Sequence, residues 1–382
     1  MSLVKVLQIG PTETYSNGGM ATVLKNLSDS SLLAEGYEID AYASCCDGPL
    51  FKRLWHSVRA YLRFFRSVET YDLFHIHMAT RGSTFRKGYY IRSLKKRGKK
   101  VILHVHGAEY KAFYEGLSRR KKERVARIWN ACDQVLVLSD SWYRYFRQKF
   151  PLAKICVIEN GVDTDKYAPS MVGRGKAENL LFLGRLGKRK GAYDLVEAME
   201  RAVQSRPKLH LFMAGDGDIE EIKELIAKKG LADKIEVLGW VSGEERIRLL
   251  QEVRTLVLPS YNEGLPMAIL EAMAAGNRII STTVGGIPEL VQSEQGILLE
   301  PGDVEGLAEA LLQSSHPSAW TASDSQASRD RIKEKYSLRR MHEKIRAVYE
   351  SVHNGPEILG RERNCEAKTG ETEDGRYSGQ RR

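Results

Sequence analysis

The sequence predicts an α/β protein of two parallel-sheet domains, because short β-rich runs alternate with helical stretches and the whole pattern is written twice. The first series is 5–9, 38–42, 73–77, 100–105, 134–138 and 155–159. After a Gly- and charge-containing stretch at 169–178, the second is 179–183, 209–214, 235–238, 255–258, 278–281 and 296–299. A length of 382 residues agrees with the duplication, since a single core stops growing at roughly 250 to 300 residues. The expected division is 1–168 and 169–335, then a final helix at 336–353 packing back toward the N-terminal domain, then a disordered tail at 354–382. That helix is read over 331–352, with Ile332, Leu338, Met341, Ile345, Val348 and Tyr349 on one apolar stripe. The tail is polar and Gly-rich, too poor in large apolar groups to order itself.

Composition excludes several classes. Hydrophobic residues make up 42% and charged residues 28%, and no apolar run approaches the roughly 18 residues that span a bilayer. The opening segment MSLVKVLQIG has one Lys and no small-residue cleavage site, so it reads as a first strand rather than a signal peptide, and a cytoplasmic location is expected. Cys45, Cys46, Cys132, Cys156 and Cys365 show no zinc or disulfide spacing and read as reduced thiols. The net charge of +10 is uneven: residues 1–165 hold 27 Lys+Arg against 16 Asp+Glu. An anionic partner of that half is expected, a membrane surface or an acidic acceptor, whereas no nucleic-acid-binding motif accompanies the charge.

Residues 51–65 sharpen this expectation. They place Trp55, Val58, Tyr61, Leu62 and Phe65 among Lys52, Arg53, Arg59, Arg63 and Arg66. Such a helix suits the interface of an anionic bilayer, or else lays its apolar face on the domain core.

In open parallel sheets, ligands bind outside the carboxyl ends of the strands, so polar groups there are the candidates. Gly184-Arg185 through Lys190-Gly191 follows one strand end and precedes a helix. Arg185 and Lys190 can neutralise two phosphates there, with the helix N-terminus aimed at the same place. After 255–258 the chain reads Pro-Ser-Tyr-Asn-Glu263-Gly264-Leu265-Pro266, and Pro266 suits a first helical position. Glu271 lies about 7.5 Å further along the helix axis at 1.5 Å per residue. Its neighbours are apolar almost all round, so its carboxylate needs a partner or a ligand. The two glutamates can grip different hydroxyl-bearing parts of one ligand.

These residues resemble family 4 of the glycosyltransferases, the retaining group with the GT-B fold: two Rossmann-like domains facing each other across a cleft. Glu263 and Glu271 match that family's carboxylate pair within its EGLP and EAMAAG contexts. Further matches run in order through the chain: Gly18-Gly19, His106-Gly107, Asn160-Gly161-Val162-Asp163, Ala214-Gly215-Asp216-Gly217 and Gly285-Gly286-Ile287-Pro288-Glu289. The resemblance implies that Arg185 and Lys190 bind a donor diphosphate, Glu271 the ribose hydroxyls and Glu263 a hydroxyl of the donor sugar. The backbone N–H groups of Gly264 and Leu265 complete the phosphate cradle. Gly18 and Gly19 bring the N-terminal loop against the donor phosphate or the acceptor, His106 lines the reaction centre, and Trp240 with Val241 meets the nucleobase. The implied activity is transfer of a hexosyl-type unit from a nucleotide sugar to a saccharide or lipid-linked acceptor with retention, in polysaccharide or glycolipid synthesis. No cofactor and no metal is expected, the cations supplying the positive charge.

Asp163-Thr-Asp165 looks like a metal-binding pair but sits beside a turn signal, and Gly215-Asp216-Gly217-Asp218 lacks the dinucleotide spacing. A glycosidase would have no use for the two cations. A sugar-nucleotide epimerase of the same fold and a non-catalytic sugar-nucleotide-binding subunit remain as alternatives, since fold alone does not fix the reaction.

Overall fold

The computed structural model describes residues 3–15, 18–46, 48–167 and 176–355. The boundary expected at 168/169 and nearly all of the expected tail lie outside the described residues. The N-terminal sheet comprises β1 (Val4–Gly10), β2 (Tyr37–Ala43), β3 (Leu73–Met78), β4 (Lys100–Val105), β5 (Gln134–Val137) and β6 (Ile155–Val157). The C-terminal sheet comprises β7 (Lys176–Leu183), β8 (His210–Ala214), β9 (Ile235–Gly239), β10 (Val253–Leu258), β11 (Arg278–Thr282) and β12 (Gly296–Leu299).

Both sheets are parallel, with orders β2-β1-β3-β4-β5-β6 and β12-β11-β10-β7-β8-β9. Each order reverses direction once, between β1 and β3 in the first sheet and between β7 and β10 in the second. Connections on either side of such a point leave toward opposite faces, which opens a crevice at the strand ends. Helices cover both faces, so the central strands are apolar on both sides: Leu7, Ile9, Phe74, Ile76, Val101 and Leu103 pack on one face of the first sheet, Val6, Leu73 and Ile102 on the other.

The C-terminal segment departs from the expected single helix over 331–352. Two helices, Ala322–Lys335 and Leu338–Asn354, are separated at Tyr336 and Ser337. The break has a backbone cause: Val162 N–H donates to the Tyr336 carbonyl (2.9 Å) and the Val162 carbonyl accepts from Leu338 N–H (3.0 Å). These bonds are made across chain segments rather than within a helix, and the Ser337 hydroxyl caps the second helix by accepting from Arg340 N–H. The second helix lays Met341, Ile345, Tyr349 and Val352 on the N-terminal sheet, against Val6, Leu73 and Ile102. Lys344 pairs with Glu159 at 2.5 Å and Arg346 with Glu35 at 3.1 Å on its rim.

On that same sheet face, side chains two residues apart stand side by side. His75 and His77 of β3 stack at 4.3 Å between centroids, and His104 of β4 lies 4.1 Å from His106 just beyond it. His75 Nδ1 meets the Tyr349 hydroxyl at 2.8 Å, and its Nε2 meets His104 Nδ1 at 3.3 Å. Burial holds His75 and His106 down to about 3, and puts His77 and His104 well below the ordinary imidazole range. All four rings are therefore neutral at physiological pH.

The helix Leu50–Phe64 divides the apolar residues that the sequence put on one face. Phe64 is buried, and Tyr61 and Phe65 pack edge-on against neighbouring rings. Phe51, Leu54, Trp55, Val58 and Leu62 instead form an exposed stripe, Trp55 being 69% exposed.

Two outcomes follow from this packing. Ile345→Ala, at a fully buried position, lowers the unfolding free energy of the N-terminal domain by about 2–4 kcal/mol in urea denaturation. Because the folded His75 ring refuses protons that the unfolded one accepts below about pH 6.5, its contribution to stability is complete above that pH and is lost as pH falls toward about 3. Replacing it by Gln flattens the pH dependence of denaturation between pH 6 and 4.5 by about 1.4 kcal/mol per pH unit.

Candidate active site

The two crevices open into a single cleft of about 780 Å³ between the domains, within the size range of small-molecule sites. Its C-terminal wall is built at the ends of β7 and β10. Beyond β7 come Gly184 and Arg185, then a single 3-10 turn, Lys188–Lys190, that ends at Gly191. Gly191 has φ +69°, and a Cβ there would lie 2.0 Å from the Pro259 carbonyl oxygen. Only glycine permits that contact, which brings Lys190 beside the loop after β10.

Lys190 pairs there with Glu263, whose Oε1 also accepts from the Ser260 hydroxyl at 2.8 Å. Glu263 is 6% exposed, so the cation matters: an unpaired carboxylate at that depth would be costly. Gly285, at φ +60°, passes so close that a Cβ would lie 2.0 Å from the Glu263 carbonyl oxygen, and Gly286 N–H donates to the Gly264 carbonyl at 2.7 Å. Arg185 is 65% exposed and pairs at the long distance of 3.5 Å with Asp216. A third cation, Arg189, donates to the Asn262 carbonyl at 3.1 Å and supports the loop.

The helix Met267–Ala274 starts where this loop ends. Pro266 is its N-cap rather than its first helical residue, because ψ of 123° keeps it extended while its carbonyl accepts from Ile269 and Leu270. Just before it, the N–H groups of Gly264 and Leu265 have no protein acceptor among the described residues. Unused amides at a helix N-terminus, beside Arg185 and Lys190, make an anion cradle.

One turn deeper, Glu271 is 3% exposed and lies 2.9 Å from Arg246 Nε. The angle is poor, and both Arg246 Nε and Glu271 Oε2 lack a hydrogen bond. Burial raises the Glu271 carboxyl, while the Arg246 guanidinium, the Tyr167 hydroxyl and the Lys166 ammonium pull it back. Its open acceptor site is available to a ligand hydroxyl. Trp240 also lines the cleft, 48% exposed. Val241 does not: its side chain belongs to the hydrophobic core of the C-terminal domain, so among this pair only the indole can offer a face to a base.

The N-terminal wall rises at the ends of β1 and β3. Gly18 and Gly19 open the helix Gly19–Ser28, and a Cβ on Gly19 would come within 3.3 Å of Met267 Cγ on the opposite wall. His106 is held by a chain of imidazole and amide contacts whose proton positions can be worked out. Gln8 Nε2 donates to the Leu24 carbonyl (3.1 Å) and the Ser28 hydroxyl (3.0 Å), so Gln8 Oε1 is an acceptor. Neutral His77 therefore carries its proton on Nε2, facing Gln8 at 3.0 Å, and presents a bare Nδ1 to His106 Nε2 at 3.0 Å. His106 must donate there, which leaves its own Nδ1 as an acceptor.

Among the described residues, side chains of Glu289, Asn160 and Ser141 join the walls, the Ser141 hydroxyl donating to the Gly285 carbonyl at 3.2 Å. The Glu289 carboxylate accepts from Asp140 N–H (2.8 Å) and Ser141 N–H (2.7 Å) at the start of the helix Asp140–Lys149, and Asn160 Nδ2 donates to the Leu265 carbonyl at 2.9 Å. Asp163 is spent locally, its Oδ1 accepting from Asp165 and Lys166 N–H in a turn. Sequence reasoning brought Arg185, Lys190, Glu263, Gly264, Leu265, Glu271, Trp240, Gly18, Gly19 and His106 to one cleft. It missed Arg246 and Tyr167 around Glu271, and the role of Gln8. Arg246 sits among Glu244, Glu245 and Arg248 on a surface-like helix, with no local signal to set it apart.

Comparisons with known proteins agree on the kind of molecule. The family description "Glycosyltransferase Family 4" matches residues 17–166, and "Glycosyl transferases group 1" matches residues 177–316. The amylovoran biosynthesis glycosyltransferase AmsK of Erwinia amylovora is 27% identical over 291 residues, covering 74% of this chain and 70% of that protein. The GDP-mannose:cellobiosyl-diphosphopolyprenol alpha-mannosyltransferase of Xanthomonas campestris is 26% identical over 261 residues, covering 64% of this chain and 65% of that protein. The crystal structure of Anabaena Alr3699/HepE in complex with UDP and glucose superposes with a TM-score of 0.73 at 18% identity, covering 91% of this chain and all of that one. With one family match on each domain and this fold beneath them, the chain belongs to the group 1, family 4 glycosyltransferases of GT-B architecture.

Proposed function

We propose that the protein transfers a hexosyl-type unit from a nucleoside-diphosphate sugar to a saccharide or lipid-linked acceptor, with retention of anomeric configuration, in cell-surface polysaccharide or glycolipid synthesis. The observation that carries this reading is the cradle formed by Arg185, Lys190 and the two unused amides of Gly264 and Leu265, with Glu271 one helical turn away. A diphosphate occupies the cradle and the ribose hydroxyls reach Glu271. Glu263, already fixed by Lys190 and Ser260, accepts from a sugar hydroxyl, as does His106 Nδ1.

In the reaction the bond from the anomeric carbon to the diphosphate oxygen breaks and a bond to the acceptor oxygen forms on the same face. The acceptor's proton passes to the departing phosphate. Negative charge grows on that phosphate, where two cations and a helix N-terminus already point, so stabilisation is larger in the transition state than before it. These groups supply the charge that a divalent ion would otherwise bring, and the reaction proceeds without metal. The relatives named above, one from amylovoran biosynthesis and one acting on a diphosphopolyprenol-linked sugar, support a surface-polysaccharide role.

The enzyme works at the inner membrane face, docked through the helix Leu50–Phe64. Its stripe Phe51, Leu54, Trp55, Val58 and Leu62 enters an anionic bilayer, with Arg59, Arg63 and Arg66 beside it at the headgroups. Among the described residues no helix is long and apolar enough to cross a membrane.

Thermal shift against a panel of nucleotide sugars identifies the donor by selective stabilisation. With that donor, Arg185→Ala and Lys190→Ala each lower turnover by about 10²–10³, a chelator leaves it unchanged, and NMR of the product reports the donor's anomeric configuration. Wild-type turnover in both cation variants, or product formed without any acceptor as an epimerase would give, sinks the reading. Trp55→Ser with Val58→Ser lowers partition onto phosphatidylglycerol vesicles at least about tenfold while leaving Tm unchanged. Equal vesicle binding by the double variant removes the membrane contact.

A further inference from the structure

The donor leaves one part of the cleft unexplained. Four cations, Arg53, Arg81, Arg86 and Lys87, line the N-terminal wall opposite the phosphate cradle. Arg81 immediately precedes the helix Gly82–Lys95, and Arg86 and Lys87 lie on its first turns. Their one ion pair among the described residues joins Arg81 to Glu109 at 3.7 Å.

Lys87 is the most telling of the four. It is 1% exposed yet donates only to neutral groups, the Ile9 carbonyl at 2.7 Å and the Ser44 hydroxyl. Burial holds its ammonium down to about 7; Cys45 pulls it back up and the Arg86 guanidinium adds a smaller repulsion. A charged lysine at this depth, with no carboxylate partner among the described residues, either sheds its proton or meets an anion, and a bound phosphate favours the charged form. The Arg86 Nε is likewise buried without a hydrogen-bond partner. Arg81 adds a backbone observation: φ of 55° makes it the one non-glycine residue with positive φ among the described residues, and strain of this kind collects at ligand sites.

We infer that this wall is an anion subsite for the acceptor, holding a phosphate or diphosphate ester on Arg81, Arg86, Lys87 and Arg53. The inference rests on the glycosyltransferase reading, and it narrows the acceptor to a phosphorylated one. The two donor phosphates are already served from the other wall by Arg185, Lys190 and the free amides, so a second set of cations across the cleft answers to a second anion. Arg53 also shows where the rest of that acceptor goes. It belongs to the helix Leu50–Phe64 and adjoins Leu54 and Trp55, the exposed apolar stripe. An ester whose phosphate sits on Arg53 and Arg86 can run a hydrocarbon chain out along that stripe.

Calorimetry with three probes tests this: inorganic pyrophosphate, farnesyl diphosphate and farnesol. Each is titrated into the wild type, into the Arg81→Gln/Arg86→Gln double variant and into Arg185→Ala/Lys190→Ala, which lacks the donor cations. Farnesyl diphosphate is expected to bind the wild type and the donor-cation variant with affinities within threefold, and to bind Arg81→Gln/Arg86→Gln at least tenfold more weakly. Pyrophosphate follows the same order more weakly, and farnesol binds at least tenfold more weakly than its diphosphate. Lys87→Met repeats the loss if it folds; the two exposed or half-buried arginines keep the test standing if it does not. Unchanged affinity in Arg81→Gln/Arg86→Gln overturns the inference, as does equal binding of farnesol, which would leave only an apolar contact. Binding lost solely in Arg185→Ala/Lys190→Ala assigns the anion to the donor cradle and also overturns it. A nucleotide panel run alongside separates the two ideas: nucleotide binding without this anion effect sinks the subsite alone, whereas no nucleotide binding by the wild type sinks the donor reading.

Discussion

Between the two domains, the Glu289 carboxylate accepts from two backbone amides at the start of the helix Asp140–Lys149, and Asn160 reaches across to the Leu265 carbonyl. The cleft depends on these contacts. Each parallel sheet delivers its loops only at the carboxyl ends of its strands, so a shared site exists only if the two ends face each other. The first contact satisfies orphan helix amides with a negative charge, a favourable pairing with the helix dipole. The return of the last helix onto the N-terminal sheet ties the domains a second time, through Val162 and the core around Tyr349.

The opposed walls differ in how they carry charge. On the C-terminal side, each buried carboxylate has a cation at hand: Glu263 has Lys190 and Glu271 has Arg246. The two pairings are not equivalent. Lys190 and Ser260 leave Glu263 well satisfied, while the skewed approach of Arg246 leaves a Glu271 oxygen open. On the N-terminal side, among the described residues, cations outnumber carboxylates and the most buried of them hydrogen-bonds only to neutral groups. A ligand that bridges the cleft therefore meets a nearly balanced surface on one side and a positive one on the other.

Behind the N-terminal wall, polar groups do not break the sheet because they are connected. The imidazoles of His75, His77, His104 and His106 pack ring against ring and hydrogen-bond in two chains, Tyr349–His75–His104 and Gln8–His77–His106. The second chain is closed at Gln8, whereas His104 Nε2 at the end of the first has no hydrogen-bond partner among the described residues. Here it also decides a chemical property at the cleft, since the amide orientation of Gln8 sets which nitrogen of His106 carries the proton.

Much of this protein was legible in the order of its residues. Alternating β-rich and helical runs marked all twelve strands, because period and apolar content are local properties. Arg185, Lys190, Glu263 and Glu271 stood out because strand ends and helix starts place neighbours in sequence at one edge of a sheet. The exceptions share a cause. Whether residues 331–352 form one helix turned on bonds to Val162, far away in the chain; whether Trp55 and Tyr61 share a face turned on which side the sheet lies; and Val241 went to the core although its neighbour Trp240 did not. Arg246, Tyr167, Gln8 and the counter-ion-poor Lys87 had no local mark at all. Sequence by itself determined which groups were available and on which elements, since these follow from short-range periodicity. Only the tertiary structure decided which of them meet, because contacts across two sheets and a cleft depend on long-range packing that no spacing along the chain records.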